Sequence, residues 1–177
     1  MMTILQTISR QCFQATAIGF SFKVRLALSV FACSILLFSC RQLDVFEKNV
    51  RIPSYEWAGN HKADGTFFIS DTLAAYNIYI VLRHTDSYNY NNIWLNVGLQ
   101  SPGDSIYFQK LNLSLGNDAA WDGIGMNDIW EVRKLINSQP RRFKKMGQYR
   151  FSISQIMRDD PLAGIINAGL RVEKQQQ

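Results

Sequence analysis

Apolar and polar residues alternate along most of this chain beyond its first forty positions. From Asn77 to Thr85, Ile78, Ile80 and Leu82 fall on one side and Tyr79, Val81 and Arg83 on the other. Ile93, Leu95, Val97 and Leu99 form a second apolar row, with Trp94, Asn96 and Gly98 opposite. A period of two in β-branched and aromatic residues predicts half-buried strands. Asp64-Gly65 reads as a turn ahead of a strand at Thr66-Phe67-Phe68-Ile69, Gly147 opens a strand through Ile153, and Ile166 to Val172 alternates again. Ser101-Pro102-Gly103-Asp104 turns the chain into a run whose apolar parity switches, from Ile106 and Phe108 to Leu111, Leu113 and Leu115. One extra residue does this, so a bulge is predicted at Gln109-Lys110. Asp128 to Asn137 fits either a helix capped by Asp128 and Glu131 or a strand with Trp130, Val132 and Ile136 on one face. The strand suits its neighbours better. Seven or eight short strands separated by turns predict an all-β fold, a single antiparallel β-sandwich of jelly-roll or immunoglobulin-like type.

The N-terminal pattern is different. An apolar run from Leu26 to Phe38, flanked by Lys23 and Arg25, ends in Leu37-Phe38-Ser39-Cys40. A basic flank, a short apolar stretch and a small residue before the cut form a secretory signal peptide, and the run is too short to span a bilayer. Cysteine just after the small residue turns an exported protein into a lipid-anchored one. Leu37, Phe38 and Ser39 are the expected peptidase recognition residues, and Cys40 the lipidation site. The predicted organisation is a lipoprotein signal peptide over 1–39, a lipidated cysteine and tether over 40–47, and the sandwich over 48–174. Met1 to Phe22 is long for a signal flank and carries Arg10 as its only charge, which points to a true start near Val24.

Removing residues 1–39 from the 177 leaves 138, enough for one core without disulfides. Those residues hold Arg10, Lys23 and Arg25 and no acid, so the 19 basic and 14 acidic side chains become 16 and 14, and the formal charge falls from +5 to +2. The basic balance of the whole chain is therefore no nucleic-acid footprint. Cys12 and Cys33 go with the leader, which leaves no thiol in the domain beyond Cys40.

Candidate chemistry is sparse. His84, Asp86 and Ser87 are hydrolase residue types, but no nucleophile elbow accompanies them, and a polar network of Arg83, His84 and Asp86 at a strand end is the simpler reading. Asp118, Asp122, Asp128 and Glu131 cluster near glycines without any EF-hand spacing, as solvated loop acids do. No catalytic, metal or cofactor site is predicted. Asn112-Leu113-Ser114 fits a glycosylation sequon by chance in a chain with a bacterial leader. Arg141-Arg142-Phe143-Lys144-Lys145, the densest charged run, reads as a solvated loop able to touch acidic head groups or a partner. Aromatic residues are more suggestive: Tyr55, Trp57, Tyr88, Tyr90, Trp94, Trp121 and Trp130. Tyr88 and Tyr90 sit in an apparent loop and are the best candidates for exposure. Tyr88, Tyr90, Trp94 and Trp121 are the candidate partner-binding residues. A second reading, a carbohydrate-binding surface lipoprotein, requires those rings to be coplanar and exposed on one face.

Five blocks stand out from Asp44 onward: Val50-Arg51-Ile52-Pro53-Ser54-Tyr55-Glu56-Trp57, Tyr76 to Asp86, Asn92 to Val97, Gly123 to Glu131, and Phe151 to Leu162 with Gly169 to Glu173. On these blocks the chain resembles the gliding motility lipoprotein GldH family. The resemblance implies a membrane-anchored, non-enzymatic accessory of the gliding apparatus, held at the outer membrane through lipid on Cys40. It also implies a link to type IX secretion of surface adhesins, and other gliding or envelope lipoproteins as partners.

Overall fold

The computed structural model describes residues 45–117 and 119–175, so Leu37, Phe38, Ser39 and Cys40 lie outside the described residues. The described chain is built from strands β1 (Val45–Arg51), β2 (Glu56–Trp57), β3 (Ala63–Ile69), β4 (Tyr76–Thr85), β5 (Asn92–Gln100), β6 (Tyr107–Ser114), β7 (Ile124–Met126), β8 (Ile129–Leu135), β9 (Gly147–Gln155), β10 (Leu162–Ala163) and β11 (Ile165–Lys174), with a short 3-10 turn at Pro53–Tyr55. They form a five-stranded sheet ordered β1-β11-β4-β8-β7, a four-stranded sheet ordered β3-β9-β5-β6, and a small β10-β2 pair. Every pairing is antiparallel. Consecutive strands often change sheets, as β3 to β4, β4 to β5 and β8 to β9 do.

Alternation decides which side chains fill the space between the two large sheets. Ile78, Ile80 and Leu82 of β4 and Leu170 and Val172 of β11 meet Ile93 and Leu95 of β5 and Tyr149, Phe151 and Ile153 of β9 in one buried cluster. Phe46 and Phe67 join the layers where β1 faces β3, their ring centroids 5.5 Å apart. Ile80, Ile93, Leu95, Phe151 and Ile153 are completely buried. Asp128 to Leu135 enters the five-stranded sheet as a hairpin and strand, and the helix is not formed. Asn127 and Asp128 both have positive φ, 50° and 63°, the conformation that joins two strands by a two-residue turn.

The structure corrects three expectations. Asp64-Gly65 is not a turn but part of β3, paired with Ser152 and Phe151. The tether is shorter than assigned, because Val45, Phe46 and Glu47 already pair with Glu173, Val172 and Arg171. No bulge interrupts β6: Tyr107 to Ser114 pairs with Leu99 to Asn92 in unbroken register. The parity switch instead records apolar side chains on both faces, one face buried and the other exposed. Leu113 points into the core, whereas Ile106 and Phe108 lie over the outer face against Gly98, where an added Cβ would come within 2.6 Å of the Phe108 ring. An aromatic laid over a strand glycine covers backbone that has no side chain of its own.

The sandwich has two distinct ends. At the entry end lie the start of β1, the end of β11, the start of β4, and the loops at 70–75, 101–106 and 136–146. At the far end lie the loops at 86–91, 115–123 and 156–161 and the β7–β8 turn.

Candidate functional site

The aromatic residues singled out from the sequence do gather at the far end, but mostly to hold it together. β4 carries its core parity one step beyond Leu82 to His84, which is fully buried. Its ring lies 4.6 Å edge-to-face from Trp121 and 5.6 Å from Tyr88. Nδ1 is 3.0 Å from the Thr85 carbonyl and so carries the proton, while Nε2 is buried with no partner among the described residues. Burial therefore holds the His84 pKa below its ordinary value, against the opposing pull of the Thr85 carbonyl and Asp86.

Asp86 does not face the imidazole. One carboxylate oxygen accepts from the Trp121 indole at 2.9 Å and the Trp130 indole at 3.2 Å. A single acid thus pins two tryptophans from different segments. Arg83 points elsewhere, to Glu131 at 2.6 Å, and Glu131 also meets Arg133 at 2.7 Å. The expected Arg83–His84–Asp86 network is not formed, because alternate positions on β4 send Arg83 to the outer face and His84 to the core. Of the loop acids, Asp122 pairs with Lys134, and Asp118 lies outside the described residues.

Tyr88 is not exposed. It is 4% accessible, donates to the Asn92 carbonyl at 3.0 Å, and burial raises its pKa. Tyr90 is half-buried, packs edge-on to Tyr88 at 69°, and donates to Asp159 at 2.6 Å. That hydrogen bond, together with the carboxylate charge, raises the Tyr90 pKa. Trp121 is partly buried against the core. The rings are neither coplanar nor open on one face, so the sugar platform required of these four residues is not formed. The loop at 86–91 looked exposed because its tyrosines sit among asparagines and serine. Its tyrosines fold inward because the end of a sandwich needs large side chains to close it.

Trp94 is the exception. It stands on the outer face of β5, 43% exposed. The backbone of Ile156 donates to the Trp94 carbonyl at 2.9 Å, and the Trp94 amide donates to the Met157 sulfur at 3.2 Å. Trp94, Tyr90, Asn92, Lys110, Ile156, Met157 and Arg158 line an open groove of about 530 Å³. An apolar floor with a cationic rim suits a protein segment better than a small molecule. Sequence reasoning found Trp94 but missed Ile156, although Ile156 breaks the polar row of Ser152 and Ser154 and so marks an apolar spot on an outer face. It also missed Ile124, Met126 and Ile129, which are 77%, 74% and 40% exposed on the β7–β8 hairpin at the same end. Contiguous exposed apolar side chains of this kind mark contact surfaces.

The basic run is not simply solvated. Phe143 is buried against Tyr76, Phe67 and Tyr149, with the Arg141 guanidinium 5.7 Å above its ring. Lys145 pairs with Asp104 at 2.6 Å.

Comparison with known proteins identifies the family of this sandwich. The chain is 30% identical over 149 residues to the gliding motility lipoprotein GldH of Flavobacterium johnsoniae, covering 80% of this chain and 91% of that protein. It is 29% identical over 154 residues to the gliding motility lipoprotein GldH homolog of Christiangramia forsetii, covering 82% and 93%. A family model described as GldH lipoprotein matches residues 44–172, nearly the whole sandwich. The chain belongs to the GldH lipoprotein family.

Proposed function

We propose that this chain is a component of the gliding machinery, held at the outer membrane by lipid on Cys40, that works without catalysis as a scaffold for other envelope proteins. The observation that carries the proposal is the family match over 44–172, together with relatives named as gliding motility lipoproteins. A lipoprotein family implies attachment to the cell envelope through lipid, and Cys40 closes the one sequence that fits a lipoprotein signal. The link to type IX secretion of adhesins is part of the family resemblance. Geometry supports a binding role: His84 is sealed behind Trp121 and Tyr88, and Asp86 is occupied by two indoles, so these residues build a frame. Lipid confines the domain to a thin layer and raises its effective concentration for neighbours there. The groove floored by Trp94 and Ile156 is the contact surface.

The test is an in-frame deletion scored for colony spreading and for adhesin export. Loss of both, restored by the wild-type gene and not by Cys40→Ala, is the expected result. Normal spreading and export in the deletion strain would overturn the proposal.

A further inference from the structure

The entry end of the sandwich carries cations and apolar side chains that the fold leaves outward. Tyr76 and Arg141 exchange backbone hydrogen bonds of 2.9 and 2.8 Å, which fixes the loop at 136–146 to the start of β4. Burial of Phe143 then turns Arg142 and Lys144 to solvent on either side. Among the described residues no carboxylate pairs with Arg141, Arg142 or Lys144, whereas Asp71 and Asp104 at this end are taken by Lys174 and Lys145. Leu73, three residues before Tyr76, is 82% exposed, and Met146 is 62% exposed.

The chain enters the fold at the same end. Val45 pairs with Glu173, one rung in from the row in which Lys174 meets Tyr76 and Tyr76 meets Arg141. With strands about 4.8 Å apart, Arg141 lies on the order of 15 Å across the sheet from Val45. Cys40 is five residues before Val45, a span of at most about 18 Å when extended. A lipid on Cys40 therefore keeps this end near the head groups whatever path the tether takes.

We propose that the entry end is a membrane-facing surface, with Arg141, Arg142 and Lys144 on the phosphates of anionic phospholipids and Leu73 and Met146 at the head-group boundary. Cations without a carboxylate partner among the described residues, interleaved with exposed apolar side chains, are the composition that binds bilayer surfaces, and the short tether supplies the proximity. Docking this end on the bilayer points the far end, with the Trp94 groove and the β7–β8 hairpin, away from it. The inference rests on lipidation of Cys40.

The test uses full-length lipoprotein reconstituted into vesicles of phosphatidylglycerol and phosphatidylethanolamine. Leu73→Cys, Met146→Cys and Ile124→Cys each receive a polarity-sensitive fluorophore, since the domain has no other free thiol once Cys40 is acylated. All three sites are exposed, and unchanged melting of each variant confirms the fold. Probes at 73 and 146 are expected to shift to the blue and resist an aqueous quencher, while the probe at 124 does neither. Arg142→Glu with Lys144→Glu is expected to reduce that protection about fivefold or more, as removal of surface cations does. Vesicle-bound protein whose probes at 73 and 146 are quenched as freely as the one at 124 would overturn the proposal and leave the anchor standing. Protein that does not float with vesicles lacks the lipid, which would overturn the Cys40 assignment and this proposal with it. Protection in intact cells but not in vesicles would assign the surface to a protein partner and overturn the lipid.

Discussion

Asp86 shows how one side chain can decide the form of the far end. Its carboxylate joins Trp121 and Trp130, so Asp86→Ala removes two charge-assisted hydrogen bonds at the surface and is expected to destabilise the fold by about 1 kcal/mol, read by denaturant unfolding. His84 adds a pH dependence. Burial lowers its folded pKa below 6.5, so as pH falls the unfolded chain takes up the proton first. The stability held by the neutral ring is complete above about pH 6.5 and is lost as pH falls toward the folded value. Melting temperature should therefore decline from pH 7.5 to 5.5 in the wild type, and His84→Leu should flatten that decline. Trp94→Ala should cost under about 1 kcal/mol of stability because the ring is on the surface, yet impair colony spreading as loss of a contact anchor does. Individual residues were unevenly legible. Trp94 was named among the suggestive aromatics and is exposed, but Tyr88 was placed in solvent and is buried, since no local pattern distinguishes a tyrosine that closes a sandwich from one that leaves it.

Strands were legible wherever one face is buried, because a period of two then has a single cause. β4, β5, β9 and β11 all follow their alternation. β6 misled because it carries apolar side chains on both faces, Leu113 in the core and Phe108 laid over Gly98 of β5, and a parity switch alone cannot separate that from a bulge. The β7–β8 turn had a readable signal in Asn127-Asp128, two residues that tolerate positive φ. β1 is the strand on which the tether argument depends, and its docking is specified by Gly169. A Cβ there would run into the Lys48 carbonyl and Asn49 of β1. Gly169→Val is expected to cost about 2 kcal/mol and to speed amide exchange across 45–51 ahead of the other strands. Ion pairing adds to the same contact. Burial pushes the Glu47 pKa up, but hydrogen bonds from Arg171 and Asn49 and the charges of Arg133 and Arg171 outweigh it and hold the pKa below 4.5. That contribution is present above about pH 4.5 and fades as pH falls through the folded value, so exchange in β1 should rise in acid before exchange in β5.

The β-sandwich over the described residues has unlike ends. Its entry end gathers the start of β1, three cations with no carboxylate partner among the described residues and two exposed apolar side chains, and its far end gathers an apolar groove and an exposed hairpin. A sandwich suits such a part, because its two sheets separate the ends by the length of the strands while holding each in fixed geometry. The proposed attachment through Cys40 would give that polarity its meaning, by setting which end meets the bilayer and which is left for a partner. The most direct test is mass spectrometry of the N-terminal peptide of the protein extracted from the envelope. A mature chain that begins at Cys40 and carries a diacylglyceryl group, with no peptide from residues 1–39, is the predicted result. A mature chain that begins elsewhere, or an unmodified Cys40, would contradict it.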